Sequence, residues 1–131
     1  MSTKFIQRGW SVPLEGRERV LAACTIAREK IEIGDYDAGC AVLSQWWRLG
    51  EWPDQKGLSQ VAAAELLLTT GVISDSVARA KQLSHGQRNA EVLLSGAIAL
   101  FEHLGEETKV LESRIELGVS KTKFKNIAIQ V

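Results

Sequence analysis

Three single glycines, Gly34, Gly71 and Gly105, each follow an apolar stretch of helix-forming residues, at intervals of 37 and 34 positions. Glycine readily adopts the left-handed backbone that ends a helix, so each of them can mark a turn between two helices. A regular spacing of this length is typical of stacked helical repeats. The sequence therefore predicts an all-α fold of about six helices in three antiparallel hairpins.

The apolar residues between these glycines follow helical spacing. The segment 62–68 is apolar on every side except at Glu65, so we expect its helix to lie between neighbours. Ser74 and Asp75 offer an N-cap for a new helix after Gly71. The predicted helices, in three consecutive pairs, span about residues 17–33 and 35–50, 54–70 and 74–84, and 90–104 and 106–119.

The last eleven residues follow a different pattern. Ile127, Ile129 and Val131 alternate with smaller or polar residues, a period of two that favours a strand. A lone strand must stay mobile or pair with another chain. We therefore predict one domain over residues 1–131, with an N-terminal arm at 1–14 and a tail at 121–131 that adds little to folding and leaves a homo-oligomer open.

Charge and hydropathy narrow the range of partners. Sixteen basic residues balance sixteen acidic ones, so the overall charge offers no attraction for nucleic acid or an anionic membrane. The N-terminus lacks the apolar core of a signal peptide, and no run approaches the roughly 20 apolar residues of a membrane span. We expect a cytoplasmic protein. Cys24 and Cys40 fall at staggered positions on the first hairpin, so no disulfide is expected.

The sequence carries no pattern typical of catalysis. His85 and His103 are the two histidines, and neither lies in a His-Glu-x-x-His motif or a cysteine–histidine spacing suited to zinc. The glycines stand singly instead of forming a phosphate loop, and the serines have no nucleophile-elbow context. We expect no metal, no cofactor and no catalytic residue, and hence no enzyme.

Three tryptophans lie within seven residues, at Trp46, Trp47 and Trp52. Adjacent helical positions are about 100° apart, so the three rings cannot all point inward. Trp47 shares a helical stripe with Leu43 and is expected to be buried. Trp46 and Trp52 are candidates for an aromatic contact, either with a partner or at the joint between two hairpins.

Residues 29–40, EKIEIGDYDAGC, resemble the turn of a tetratricopeptide repeat, and residues 90–110 resemble a second one with Phe101 in its aromatic slot. The resemblance implies a right-handed solenoid that binds protein or peptide partners. A second register is also open, because residues 99–105 followed by 114–118 are similar to the longer repeats of bacterial signalling and transcription regulators. In that register the helix from residue 106 opens a repeat instead of closing one.

The resemblance implies a mostly acidic concave groove along the first helix of each hairpin. We interpret the chain as a peptide-interaction scaffold that prefers neutral or basic segments over acidic ones, within a larger bacterial assembly. Two other functions stay open: a small helical enzyme domain using Glu65 or Glu102, and a structural oligomerisation unit. The implied groove residues are Arg28, Glu32, Glu65, Thr69, Ser95, Glu102 and His103.

Overall fold

The computed structural model describes the backbone of residues 16–130 and the side chains of residues 19–119, except at position 84. It is all-α, as predicted, with five helices and no strand over the described residues. The predicted N-terminal arm, 1–14, lies outside the described residues. The helices are α1 (Gly16–Glu32), α2 (Tyr36–Val42), α3 (Gln60–Lys81), α4 (Ser84–Leu104) and α5 (Glu107–Gln130).

The first turn forms where the sequence predicts it. Gly34 has a φ of +82°, the left-handed backbone expected of a glycine that ends a helix. The Asp35 side chain then caps α2 by accepting a hydrogen bond from the Ala38 backbone N–H at 3.2 Å. α2 is shorter than predicted, because it ends at Val42 instead of continuing to residue 50.

Gly71 is not a turn, and the prediction of a helix end there is wrong. α3 runs through it without a break, and a Cβ at Gly71 would lie only 2.7 Å from Leu94 Cγ on α4. The missing side chain thus lets two helices approach closely. Since the expected turn is absent, the predicted helices over 54–70 and 74–84 are one helix, and the total is five instead of six.

α3 and α4 form an antiparallel pair joined by two residues. A Cβ at Gly86 would meet Ala78, and one at Gly96 would come within 3.5 Å of Leu67. The later glycine of α4 thus lies against the earlier residue of α3, as expected for an antiparallel pair. α3 also contacts α1, α2 and α5. It is the central helix of the fold.

The predicted strand in the tail is also wrong, because α5 continues to Gln130. The same apolar residues permit a helix, since positions 124, 127 and 131 are spaced by three and four. No glycine or proline interrupts residues 119–130. The chain turns into this helix at Gly105, whose φ of +73° confirms the predicted turn.

One helix of the described chain, α3, is long and apolar enough by length and composition to cross a membrane. In this fold, 78% of its most apolar window is buried against other helices. Its apolar character is therefore accounted for by its central position among α1, α2, α4 and α5.

Candidate functional site

A cleft opens over the middle of α3, between α1 and α5. Both flanking helices contact α3, whereas no Cα atom of α1 comes within 8 Å of one in α5 over the described residues. The cleft has a volume of about 210 Å³. It brings together three of the seven predicted groove residues with side chains that the sequence did not single out. This polar cleft is lined by Leu21, Cys24, Thr25, Arg28, Glu65, Thr69 and Lys109.

The floor of the polar cleft carries a buried hydroxyl with no partner. Thr69 is fully buried, and its Oγ1 has no hydrogen bond to any described residue. A helical threonine usually donates to the carbonyl four residues earlier, as Thr70 does to Leu66 at 2.8 Å. At the equivalent carbonyl of Glu65, the Cys24 thiol donates instead, at 3.8 Å. The Thr69 hydroxyl lies close enough to the Cys24 thiol to lower the pKa of that thiol. It therefore keeps hydrogen-bonding capacity at the cleft beyond this one weak sulfur contact.

The walls of the polar cleft are joined by ion pairs. Arg28 on α1 reaches Glu112 on α5 at 3.2 Å and Glu116 at 4.0 Å. Lys109 on α5 binds both Glu65 on α3, at 3.1 Å, and Glu112, at 3.2 Å. These ion pairs connect α1, α3 and α5. Between α1 and α5, the connection is made by side chains alone. Each charged group is about one-third exposed or less, so water only partly screens the pairs.

The ion pairs shift the titration of both partners. Burial disfavours the charged form of Lys109, but hydrogen bonds and attraction from Glu65 and Glu112 outweigh it and raise its pKa. Burial likewise opposes the charged form of Glu112, yet Lys109 and Arg28 lower its pKa. Burial also raises the pKa of the Cys24 thiol to about 11. The cleft therefore holds paired ions and a protonated thiol at neutral pH.

The other four predicted groove residues lie elsewhere. Glu32 is exposed at the end of α1, and Ser95, Glu102 and His103 are exposed on α4. Glu102 is paired with Arg114. The three residues on α4 miss the cleft because α3 does not end at Gly71, so α4 is the second helix of its pair and α5 takes the place facing α1.

Sequence reasoning missed Lys109 and Glu112. Lys109 lies 44 residues from Glu65, and Glu112 lies 84 residues from Arg28. No local pattern can signal contacts over such separations. These two residues could have been identified only by correctly placing α5 opposite α1.

A second opening lies further along α3, where the loop at 49–50 meets the turn between α3 and α4. It has a volume of about 500 Å³. Leu49, Leu83 and Val92 line it and are 44%, 46% and 56% exposed. Val77 and Ala78 supply its buried apolar base. This apolar pocket is also lined by Ser74, His85, Arg88 and Asn89.

The tryptophans hold the loop beside this pocket. Trp47 is buried, as predicted, and its Nε1 donates to the Glu51 carbonyl at 2.8 Å. Trp46 is half-buried. Trp52 is 53% exposed, and its ring lies over Gly96 on α4. The prediction that at least one ring is exposed is confirmed.

No family model, curated protein or solved structure matches this chain. The described residues contain no group of three or more histidine, cysteine, aspartate or glutamate side chains placed to hold a metal ion. Both cysteines are free, as predicted.

Proposed function

We propose that this chain is a protein-interaction module, resembling a tetratricopeptide-repeat array, that holds a short segment of a partner polypeptide in the polar cleft. One observation carries the proposal: three helices from distant parts of the chain line one cleft, with the unpartnered Thr69 hydroxyl at its floor. A buried hydroxyl without a partner is unfavourable, and a peptide N–H or C=O from a bound segment would satisfy it.

The order of the helices supports this proposal. α1 packs with α2 and α3 packs with α4, after which α5 contacts both α3 and α4. In the second of the two registers, the helix from residue 106 opens a new repeat, and the first helices of successive repeats line the concave side. In that register α1, α3 and α5 would be these first helices, and the polar cleft lies between them.

The charges of the cleft favour a neutral or basic segment. Three carboxylates, Glu65, Glu112 and Glu116, face two cations, Arg28 and Lys109, in the ion-pair network. An incoming basic side chain can join the carboxylates, whereas an acidic one must compete with them for the two cations. Specificity would then come from repulsion of acidic segments as well as from contacts with basic ones.

Selection of peptides from a random phage-displayed library on the intact chain tests this function. Affinities of the enriched peptides, measured by fluorescence anisotropy, are expected to fall about fivefold with Thr69→Val, since one neutral hydrogen bond is lost. Thr70→Val is the matched control, because the Thr70 hydroxyl is already bonded within α3. Enrichment of acidic peptides would overturn the proposal. It would also be overturned if neither Thr69→Val nor Glu65→Gln lowered the affinity of the enriched peptides.

A structural oligomerisation unit is the second candidate, and one surface favours it. Leu111, Ile115 and Val119 recur every four residues on α5 and are 60%, 63% and 37% exposed. A Cβ at Gly118 would meet no atom within 4 Å, so the face is open there too. Sedimentation velocity of wild type and Ile115→Asp tests it, with Ile33→Asp, at an exposed position in the turn after α1, as control. A monomer at every concentration contradicts this role.

A further inference from the structure

The apolar pocket has the composition of a small-molecule site. Its volume of about 500 Å³ lies within the range of ligand pockets, which are mainly apolar with a few convergent polar groups. Leu49, Leu83 and Val92 each keep roughly half of their surface exposed around it. An apolar chain lying between these three side chains would remove that surface from water.

The polar groups of the pocket converge at the start of α4. Ser74 is 1% exposed, lines the pocket, and its Oγ has no partner among the described residues. Gly86 lies beside it, since a Cβ there would be 3.7 Å from the Ser74 carbonyl oxygen and 2.8 Å from the Ala78 Cβ. The apolar base and the first turn of α4 are therefore in direct contact.

The first turn of α4 is open to an acceptor. Leu83 occupies the N-cap position and supplies no side-chain hydrogen bond, so the first N–H groups of this 21-residue helix are without a side-chain cap. Such N–H groups, together with the positive end of the helix dipole, favour an anion. The buried Ser74 hydroxyl is a second, independent donor in the same pocket.

The side chain of the lining that is charged at neutral pH, Arg88, is a cation. His85 and Arg88 line the pocket, and its lining contains no carboxylate. Arg88 is exposed and forms no ion pair with another described residue. The pocket thus combines an apolar base, a buried hydroxyl, an uncapped helix start and an unpaired guanidinium.

We infer that the apolar pocket binds a small organic carboxylate with an unbranched apolar chain, such as a fatty acid of medium length. Its carboxylate lies at the start of α4, within reach of Ser74 and Arg88, and its chain lies against Leu49, Leu83 and Val92. This site is separate from the polar cleft and does not depend on peptide binding there. It makes the chain a ligand-binding protein in addition to an interaction module.

Titration of the isotope-labelled intact chain with octanoate, followed by amide NMR, tests the inference. We expect saturable shifts in residues 83–89, with an affinity at least about tenfold higher than for 1-octanol or octylammonium, because only the carboxylate makes charge-assisted hydrogen bonds. Arg88→Gln is expected to lower octanoate affinity about tenfold and to leave 1-octanol binding unchanged. Arg48→Gln, an exposed arginine outside the lining, is the control.

Three outcomes overturn the inference. The first is no saturable shift with octanoate, and the second is equal affinity for octanoate and 1-octanol. The third is tighter binding of the peptide acid acetyl-Gly-Gly-Leu than of octanoate, which would assign the pocket to the end of a protein chain.

Val92→Glu is expected to abolish octanoate binding without changing the melting temperature, because Val92 is mostly exposed. Thr69→Val, in the polar cleft, is expected to leave octanoate affinity unchanged.

Discussion

The polar cleft and the apolar pocket both lie on α3, and each contains a buried hydroxyl without a partner, Thr69 in one and Ser74 in the other. Around Thr69, charged side chains from three helices neutralise one another. Around Ser74, the pocket is lined by apolar side chains together with His85, Arg88 and Asn89, and Arg88 forms no ion pair with another described residue. An unpartnered hydroxyl thus occurs once among paired charges and once beside an arginine that no described carboxylate neutralises.

The largest effect of a single substitution is expected at Trp47. Trp47→Ala removes a ring that is 2% exposed, and we expect a loss of about 3 to 5 kcal/mol in the free energy of unfolding. The Trp47–Glu51 hydrogen bond also holds the loop that carries Leu49, so octanoate affinity is expected to fall more than peptide affinity. Thermal melts and both binding assays measure this.

Trp46→Ala is the control for Trp47→Ala, because Trp46 is only half-buried. We expect it to destabilise the chain less. A larger loss of melting temperature with Trp46→Ala than with Trp47→Ala would show that the wrong ring has been assigned to the core.

The next effect is expected at Gly71, which lies between Thr69 and Ser74 on α3. Gly71→Val would place a branched side chain against Leu94, and we expect a loss of about 1 to 3 kcal/mol from overpacking. Both binding regions are expected to weaken together, because α3 carries both. Urea unfolding measures the loss. Gly118→Val, a helical glycine with open space, is the control, and an equal loss there would contradict the close packing of α3 on α4.

A smaller effect, confined to the polar cleft, is expected from pH. The pKa of Glu112 is lowered in the fold, so its contribution is complete above its ordinary value of 4.5 and is lost as the pH falls through the lower folded pKa. The pKa of Lys109 is raised, so its contribution is complete below 10.5 and is lost as the pH rises through the higher folded pKa.

Glu112→Gln checks the acid half of this expectation. At pH 7 it is expected to lower the free energy of unfolding by about 1 kcal/mol or less, because the pairs are partly solvated. The difference from wild type is expected to shrink as the pH falls from 4.5 through the lower folded pKa, at which Glu112 in the fold becomes protonated. Melting temperatures measured from pH 3 to 7 test it, and a difference that stays constant with pH would contradict the role of the ion pair.

The smallest effect is expected in thiol reactivity. Burial raises the pKa of both cysteines, but Cys24 is 4% exposed with a pKa of about 11, whereas Cys40 is half-buried. Ellman's reagent is therefore expected to label Cys40 several-fold faster. Lys109→Gln, which removes two ion pairs at the cleft, is expected to speed labelling of Cys24 alone. Equal rates for both thiols in the native protein would contradict the burial of Cys24.

The three glycines show how far local sequence carries the fold. Gly34 and Gly105 end helices with positive φ, as predicted. Gly71 also follows an apolar stretch, but there the lack of a side chain permits close packing against Leu94, which lies 23 residues later in the sequence. A glycine needed for backbone freedom and one needed for lack of a side chain are identical in a single sequence. Ser74 and Asp75, predicted as an N-cap, are instead buried within α3.

Part of the polar cleft could be predicted from the sequence, because part of it depends only on local helical periodicity. Arg28, Glu65 and Thr69 lie on α1 and α3, whose positions follow from local periodicity. Lys109 and Glu112 enter only once the tertiary arrangement places α5 opposite α1. The prediction of a strand in the tail was wrong because its alternating apolar pattern also satisfies helical spacing. A helix that has already formed needs no new nucleus to extend over those residues. The small contribution of residues 121–131 to folding stays a prediction.

The contacts of α3 with all four other helices determine how the molecule comes apart. In an array whose units touch only their neighbours, one end can fray while the remainder persists. Here the loss of any helix uncovers part of a single shared helix, so every partial opening exposes apolar surface that the remaining helices cannot cover. We expect the amides of α3 to exchange with solvent most slowly, and to do so only through unfolding of the whole domain.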